Sequence, residues 1–468
     1  MFTALVTKEL RAIILSPKFV ATFSLCSILI LLSTYIGIRG YQASVRQYEA
    51  ANRLTDQRLH NATAWPAVNG RVDLKPDPLR VFASGVSLDI GRYSRVDERN
   101  AVKLRGSEYS EESVYALFRF IDLAFIVQIV LSLFAILFTF DAVSGEREDG
   151  TLRLVFSNSV PRAQFLAAKC AGSWLGLVGP ISIPIALSLL MVVVFGIPLT
   201  GADWLRLLTL LGVSLLFFTF FIAVGVLLST LTKRPSVSFL LGLVTWVVFV
   251  LIIPRVGTAV AGQIAKVPQV AEVEAIKDRY AKDQWAQLQK DLVVLETSTC
   301  KIKEASFDSS RKVMEQRVDE YGAKLMEEVR QKKGVQERLA LNLSRFSPVS
   351  AFQLASMTLA GNDLSLKTKY EDAISNYRRQ FIDFKNSESA KGGSQGGIMF
   401  AMGPEGLKVT VDRSKGSLDL SGLPQFVPPT IQLGAILPSV VVDIGIILLG
   451  TLLAFAGAFM AFLKYDVR

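Results

Sequence analysis

The stretch FDAVSGEREDGTLRL, residues 140–154, continues as VFSNSVPRAQFLAAK to residue 169 and decides how the whole chain is read. An apolar run, Leu123–Phe140, leads into it, and a second, Ala171–Ile197, follows it. Each is about one membrane thickness long when helical. A charged loop holding a short helix between two membrane helices is a lever, because a push on it from outside the bilayer moves both helices. Glu146 and Glu148 stand near a helix start, where the helix dipole favours acids. Gly150 and Thr151 permit a close approach or a cap, and Leu152, Val155 and Phe156 supply an apolar side suited to a groove. Pro161 ends the segment and Lys169 marks re-entry into the bilayer. The plainer reading is a solvated turn whose charges only fix topology.

Working outward, apolar runs recur at Phe19–Ile38, Leu207–Leu231, Val237–Ile253 and Leu433–Leu463, making six in all. With 51% hydrophobic residues, a purely soluble protein is excluded. The chain divides into an amphipathic interfacial helix (1–18), spans at 19–38, 116–140, 170–197, 205–231, 237–253 and 433–463, the loop at 141–169, and two long insertions at 39–115 and 254–432. Phe2, Leu5, Val6, Leu10, Ile13 and Ile14 form the apolar stripe of the first helix, and Pro17 breaks the run. No Ala-x-Ala-like cleavage site follows the first span, so it reads as a retained helix. Lys8, Arg11 and Lys18, the turn residues Lys233 and Arg234, and Lys464 and Arg468 lie on one side, whereas the turn Pro198–Trp204 has neither Lys nor Arg. The basic side is read as cytoplasmic, with both termini there.

The insertions need folds of their own. Tyr41–His60 is helical in pattern, and Pro66, Pro76 and Pro78 then interrupt it. Residues 267–343 read as long polar helices forming a hairpin or a coiled-coil-like pair, and a further helix is expected over Lys367–Phe384. SESAKGGSQGG, residues 387–397, has the composition of a flexible loop, and LKVTVD is expected to pair with SLDLSG as a small hairpin. The fold class expected is an α-helical polytopic membrane protein with six transmembrane helices and a mostly helical (α+β) extracytoplasmic domain.

The segment SGEREDGTLRLVFSNSVPRAQFLAAK closely resembles the first cytoplasmic loop of ABC-2 type permeases, the membrane subunits of a class of ABC transporters. The enlarged outer region, with SPVSAFQ and DLSGLPQF, resembles a subgroup of these permeases with an enlarged extracytoplasmic domain. The resemblance implies a bacterial inner-membrane permease whose coupling helix seats on a separate ABC ATPase subunit. By this resemblance Glu146, Arg147, Glu148, Gly150, Thr151, Leu152, Arg153 and Phe156 carry the coupling. It further implies pairing with a second permease copy, as homodimer or heterodimer, and export or extrusion driven by ATP. The alternative is mechanotransmission, in which motion passes to the outer domain and a periplasmic partner and no cargo crosses.

The chain has no G-x-x-x-x-G-K-[S/T] motif, so ATP and Mg²⁺ are expected on the partner ATPase and no cofactor on this chain, which is not itself an enzyme. One histidine, His60, and three scattered cysteines, Cys26, Cys170 and Cys300, give no metal-ligand or disulfide framework. The net charge of +10 is spread along the chain without a nucleic-acid motif, which favours attraction to the lipid membrane over nucleic acid. Arg119 and Asp122 are either a local i,i+3 ion pair or the outer gate of a pathway. Asp443, alone in the sixth run, either pairs with Arg255 or Arg119 or lines a cavity. Gly172 and Gly176 make a G-x-x-x-G whose plain reading is chance or packing within the chain.

Overall fold

Among the described residues, six helices are long and apolar enough to cross a membrane: Pro17–His60, Leu123–Glu148, Arg162–Val194, Gly201–Leu231, Pro235–Ile264 and Leu433–Leu463. The computed structural model describes residues 2–62, 65–97, 102–107, 121–157, 160–299, 304–390, 398–403, 406–411, 418 and 420–464. The protein is a helical, multi-pass membrane protein with little strand. Two compact units divide the chain, one of Met1–Val247 with Ala351–Arg468, the other Val248–Ser350.

In the first unit, the helix Phe2–Ile14 ends and Pro17 opens the next helix, with Ser16 as its N-cap accepting from the Phe19 N–H. A proline at the first helical position loses no intrahelical bond, so Pro17 starts the first span. That helix runs 44 residues to His60, far beyond the apolar run, so Tyr41–His60 is a direct continuation of the span.

The fourth span lies at the centre of this unit: 61% of its most apolar window is buried, more than for any other span. Its partners approach closely at Gly225, where a Cβ would collide with Thr139 of the second span. The second and fifth spans meet through Trp246, whose indole N–H donates to Ser132 Oγ at 2.8 Å, and through the rings of Phe140 and Phe239, 5.3 Å apart. The second span contains a π-helical turn, Ile126–Leu131.

The two insertions do not form separate modules. The strands Gly70–Asp73 and Tyr93–Val96 pair antiparallel, and Trp65, Val68, Val72, Val96 and Leu104 share one core with Tyr370, Ile374 and Phe381 of the helix Ser365–Ala390. The conspicuous SPVSAFQ stretch is packing: Phe352 stacks on Phe217 of the fourth span with centroids 4.4 Å apart. LKVTV does form a strand, but its partner lies upstream, in Ile398–Gly403, with Ile398 opposite Val411 and Gly403 opposite Gly406. The preceding segment lies nearer in sequence than SLDLSG, so less chain entropy is lost in pairing with it.

The second unit is built on the polar helices Val270–Thr299 and Glu304–Ser344. Tyr280 and Tyr321 stack at 4.0 Å between them, and Val273, Leu288 and Met314 are buried. The helix Ile253–Ile264 packs along the second of the pair, where Gln336 Nε2 donates to the Ala265 carbonyl and Gly257 lies against Ser344. The second insertion is thus split near Ser350: its polar helices pack on one another and on the helix Ile253–Ile264, whereas the stretch after them belongs to the first unit.

Candidate functional site

The polar segment from Asp141 onward folds as two short helices, Ser144–Glu148 at the end of the second span and Thr151–Ser157 after it, joined through Asp149 and Gly150. Gly150 has φ +72°, a conformation that favours glycine, and this lets the chain turn between them. The first helix is fastened to the end of the fourth span. Ser229 Oγ accepts from the backbone N–H groups of Val143 and Ser144 at 2.9 and 3.0 Å, and Ser144 is fully buried. Arg147 Nη1 donates to the Thr232 carbonyl at 2.8 Å, where the fourth span ends and unsatisfied carbonyls need donors. Replacing Ser229 with alanine strands two buried N–H groups, and a loss of about 1–3 kcal/mol is expected in detergent unfolding. Ser229→Thr, which keeps the hydroxyl, is the control.

Glu146 belongs to a buried ion cluster. Lys169 Nζ donates to Glu9 Oε1 at 2.5 Å and to Glu146 Oε1 at 2.7 Å, and Lys8 Nζ donates to the same Glu146 oxygen at 2.8 Å. The Lys169 side chain is only 6% exposed. Gly172 and Gly176 continue the contact: a Cβ on Gly172 would collide with Glu9, and one on Gly176 would lie 3.2 Å from Ile13. The G-x-x-x-G is therefore the seat of the N-terminal helix on the third span, a contact within the chain.

The apolar side of the loop is turned inward. Leu152 is 2% exposed and shares a core with Val143, Val160, Phe165, Val226 and Phe462. Val155 and Phe156 pack on the same core, Phe156 lying 5.6 Å from Phe165 and 5.9 Å from Phe462. Leu152, expected on the face offered to a groove, is covered by this chain's own third, fourth and sixth spans, and Val155 and Phe156 are half-buried on the same core. The exposed side carries Glu148, Asp149, Gly150, Arg153 and Leu154, the last at 66% exposure, while Thr151 is half-buried. Arg162 Nη1 donates to the Leu463 carbonyl at 2.6 Å. The N-terminal helix, the loop and the end of the sixth span thus converge at one end of the bundle.

Asp122 caps the second span. Its Oδ1 accepts from the Phe125 N–H at 2.8 Å, and its Oδ2 accepts from the Ser84 N–H and hydroxyl at 2.9 and 2.7 Å. The acid expected to pair with Arg119 or to gate a pathway thus holds a helix start against the first insertion; Arg119 itself lies outside the described residues, as does Cys300. Asp443 is buried within the sixth span, 1% exposed. It sits away from the loop, so the structure does not gather Asp122, Asp443 and the loop residues into one site. Glu9 and Ser229 are not singled out in the sequence, and Lys8 enters there only as a charge that fixes topology. An acid on an otherwise apolar and basic amphipathic helix was the available signal for Glu9, and nothing local marks Ser229.

Six spans, a loop of two short helices and a packed N-terminal helix describe a multi-pass membrane protein. The chain belongs to the ABC-2 family of transporter proteins, whose family model matches residues 3–467. It is the membrane subunit of such a transporter and not its ATPase, and membership implies association with an ABC ATPase. No protein of curated function matches it.

Proposed function

We propose that this chain couples ATP hydrolysis on a separate ATPase subunit to export or extrusion of a substrate, with the loop of residues 141–169 as the docking element. The ATPase contacts Glu148, Asp149, Arg153 and Leu154, while Glu146, Arg147, Gly150, Thr151, Leu152 and Phe156 shape and stiffen the loop from behind. ATP and Mg²⁺ stay on the ATPase. A second permease copy completes the assembly, in a bacterial inner membrane with both termini on the cytoplasmic side. The observation that carries this reading is how the loop is fastened: it is bonded at once to the N-terminal helix, the third span and the fourth span, yet keeps one charged face and the Leu154 side chain exposed. A push on such a face is passed to helices, not absorbed by a floppy turn, and the nucleotide state that prefers one loop position biases the whole bundle.

Changing Leu154 to Asp together with Arg153 to Glu is expected to leave the fold intact, because both side chains are exposed, and to weaken retention of the ATPase by about tenfold or more. Co-purification and ATPase stimulation measured on the same preparation check it. Wild-type values in both sink the docking assignment. The mechanotransmission reading rests on the helices of 30 and 41 residues in the second compact unit, whose polar surfaces suit a partner outside the bilayer better than a pore lining. Reconstitution in vesicles separates the two: cargo movement supports export, whereas ATP-linked motion of that unit without cargo supports transmission.

A further inference from the structure

At the end of the fourth span opposite the loop, an arginine is spent on holding the fold. Arg206, 3% exposed, donates from Nη1 to Asp203 Oδ1 at 3.0 Å, from Nη2 to Asp77 Oδ2 at 3.2 Å, and from Nε to the Leu359 carbonyl at 2.8 Å. Three arginines around the strand pair of the first insertion are placed differently.

Side chains alternate along the strands Gly70–Asp73 and Tyr93–Val96. Val72, Ser94 and Val96 are buried on the core side, so Arg71, Asp73, Tyr93 and Arg95 share the other face. The register sets Arg71 directly opposite Arg95. Like charges opposed across an antiparallel pair destabilise it. Arg71 is compensated: its Nε and Nη2 donate to the two oxygens of Asp73 at 2.7 Å, and its guanidinium lies 4.0 Å from the centre of the Tyr93 ring. Arg95 has no such acid.

This face forms one wall of a cleft of about 340 Å³, and Arg58, on the extension of the first span, forms another. The volume is that of a small-molecule site. Among the described residues, the guanidinium groups of Arg58 and Arg95 make neither a hydrogen bond nor an ion pair. Asp97, the one acid in the lining, is bonded to none of the three arginines. Thr55 and Asn69 add a hydroxyl and an amide. Guanidinium forks match the oxygens of phosphates and carboxylates. Three forks on different sides of one cleft suit a tetrahedral phosphate better than a planar carboxylate.

The helix also decides where the ligand comes from. Residues 38 to 58 lie on one unbroken helix, and that stretch is roughly 30 Å long. The headgroup layer extends only about 5–8 Å beyond the hydrocarbon on each side. A lipid headgroup therefore does not reach Arg58, and the occupant is a solute.

We propose that this cleft binds the phosphate group of a small soluble molecule. Arg95 and Arg58 hold its oxygens from two sides, and Arg71, fixed by Asp73, offers its remaining Nη1 from a third. The bound anion relieves the opposition of Arg71 and Arg95. The site is independent of the loop and of any ATPase.

The test uses the full chain in detergent, with inorganic phosphate and glycerol phosphate as calorimetric probes and succinate as the carboxylate comparison. Saturable binding of at least one phosphate probe is expected, at least about tenfold tighter than that of succinate. Arg58→Gln and Arg95→Gln are each expected to weaken it about tenfold. Arg53→Gln, exposed on the same helix outside the cleft, should leave it unchanged. The favoured probe distinguishes a free phosphate ion from a phosphate ester. Melting temperature separates binding from support of the fold. Without phosphate, Arg95→Gln is expected to melt no lower than the wild type, because the like-charge pair is gone, and added phosphate should raise only the wild-type value. No saturable binding of either phosphate probe, succinate bound as tightly, or binding unchanged in both cleft variants overturns the proposal. So does a phosphate-free Arg95→Gln protein that melts below the wild type, which would make Arg95 a structural residue.

Discussion

Replacing Lys169 with methionine is expected to destabilise the protein by about 3–5 kcal/mol, because it leaves Glu9 and Glu146 facing each other without their shared cation. Methionine fills much of the same volume, so the loss reports charge and not a cavity. Lys8 does not replace it, since its side chain is half exposed and reaches only Glu146. Adding Glu9→Gln and Glu146→Gln to Lys169→Met is expected to restore most of the stability, since a neutral set has no stranded charge. Unfolding in mixed micelles measures the difference, and protease sensitivity near Leu15 reports release of the N-terminal helix. If Lys169→Met unfolds with the wild type, the cluster is solvated and the helix is held by the glycine seat alone.

Arg206→Leu is expected to cost a similar amount, about 3–5 kcal/mol, at the opposite end of the bundle. Asp77 and Asp203 lose their common partner, and the Leu359 carbonyl loses its donor. Arg206→Lys should recover little, because an ammonium cannot reproduce the three directions in which the guanidinium donates. Arg206→Leu with Asp77→Asn and Asp203→Asn should recover much more. Hydrogen exchange localises the effect: faster exchange is expected around 74–90 and 359–366, while the amides of the loop of residues 141–157 keep their wild-type rates. A uniform acceleration would show that the cluster supports the whole bundle, not one end.

The spans were legible because about twenty apolar residues in a row have one stable outcome in lipid. A short helix in the loop was legible too, from its acids; its division into two helices at Gly150 was not. What it faces was not. Leu152, Val155 and Phe156 recur at helical spacing, and that spacing says only that a face is apolar, whether its cover is this chain or another. Asp122 carried a second signal beside that of a possible ion pair: an Asp directly before an apolar helical run is also an N-cap signal. Gly172 and Gly176 announced a close helix approach without naming the partner, which is the N-terminal helix. The clusters around Lys169 and Arg206 join residues 160 and 129 positions apart, and no local pattern encodes such pairs. The fused core of the two insertions was hidden for the same reason.

The fourth span has a mechanical consequence. It is a helix of 31 residues, about 46 Å long, with no proline, pinned by Arg206 near its start and by Ser229 and Thr232 at its finish. The third span contains Pro180 and Pro184 and the sixth contains Pro438, so their ladders lack bonds that the fourth keeps. Compliance in this bundle is therefore unevenly distributed: one stiff axle runs through two helices that bend more easily. Under the proposed coupling, a displacement of the loop would be carried along the axle, and the proline-bearing neighbours would take up the strain.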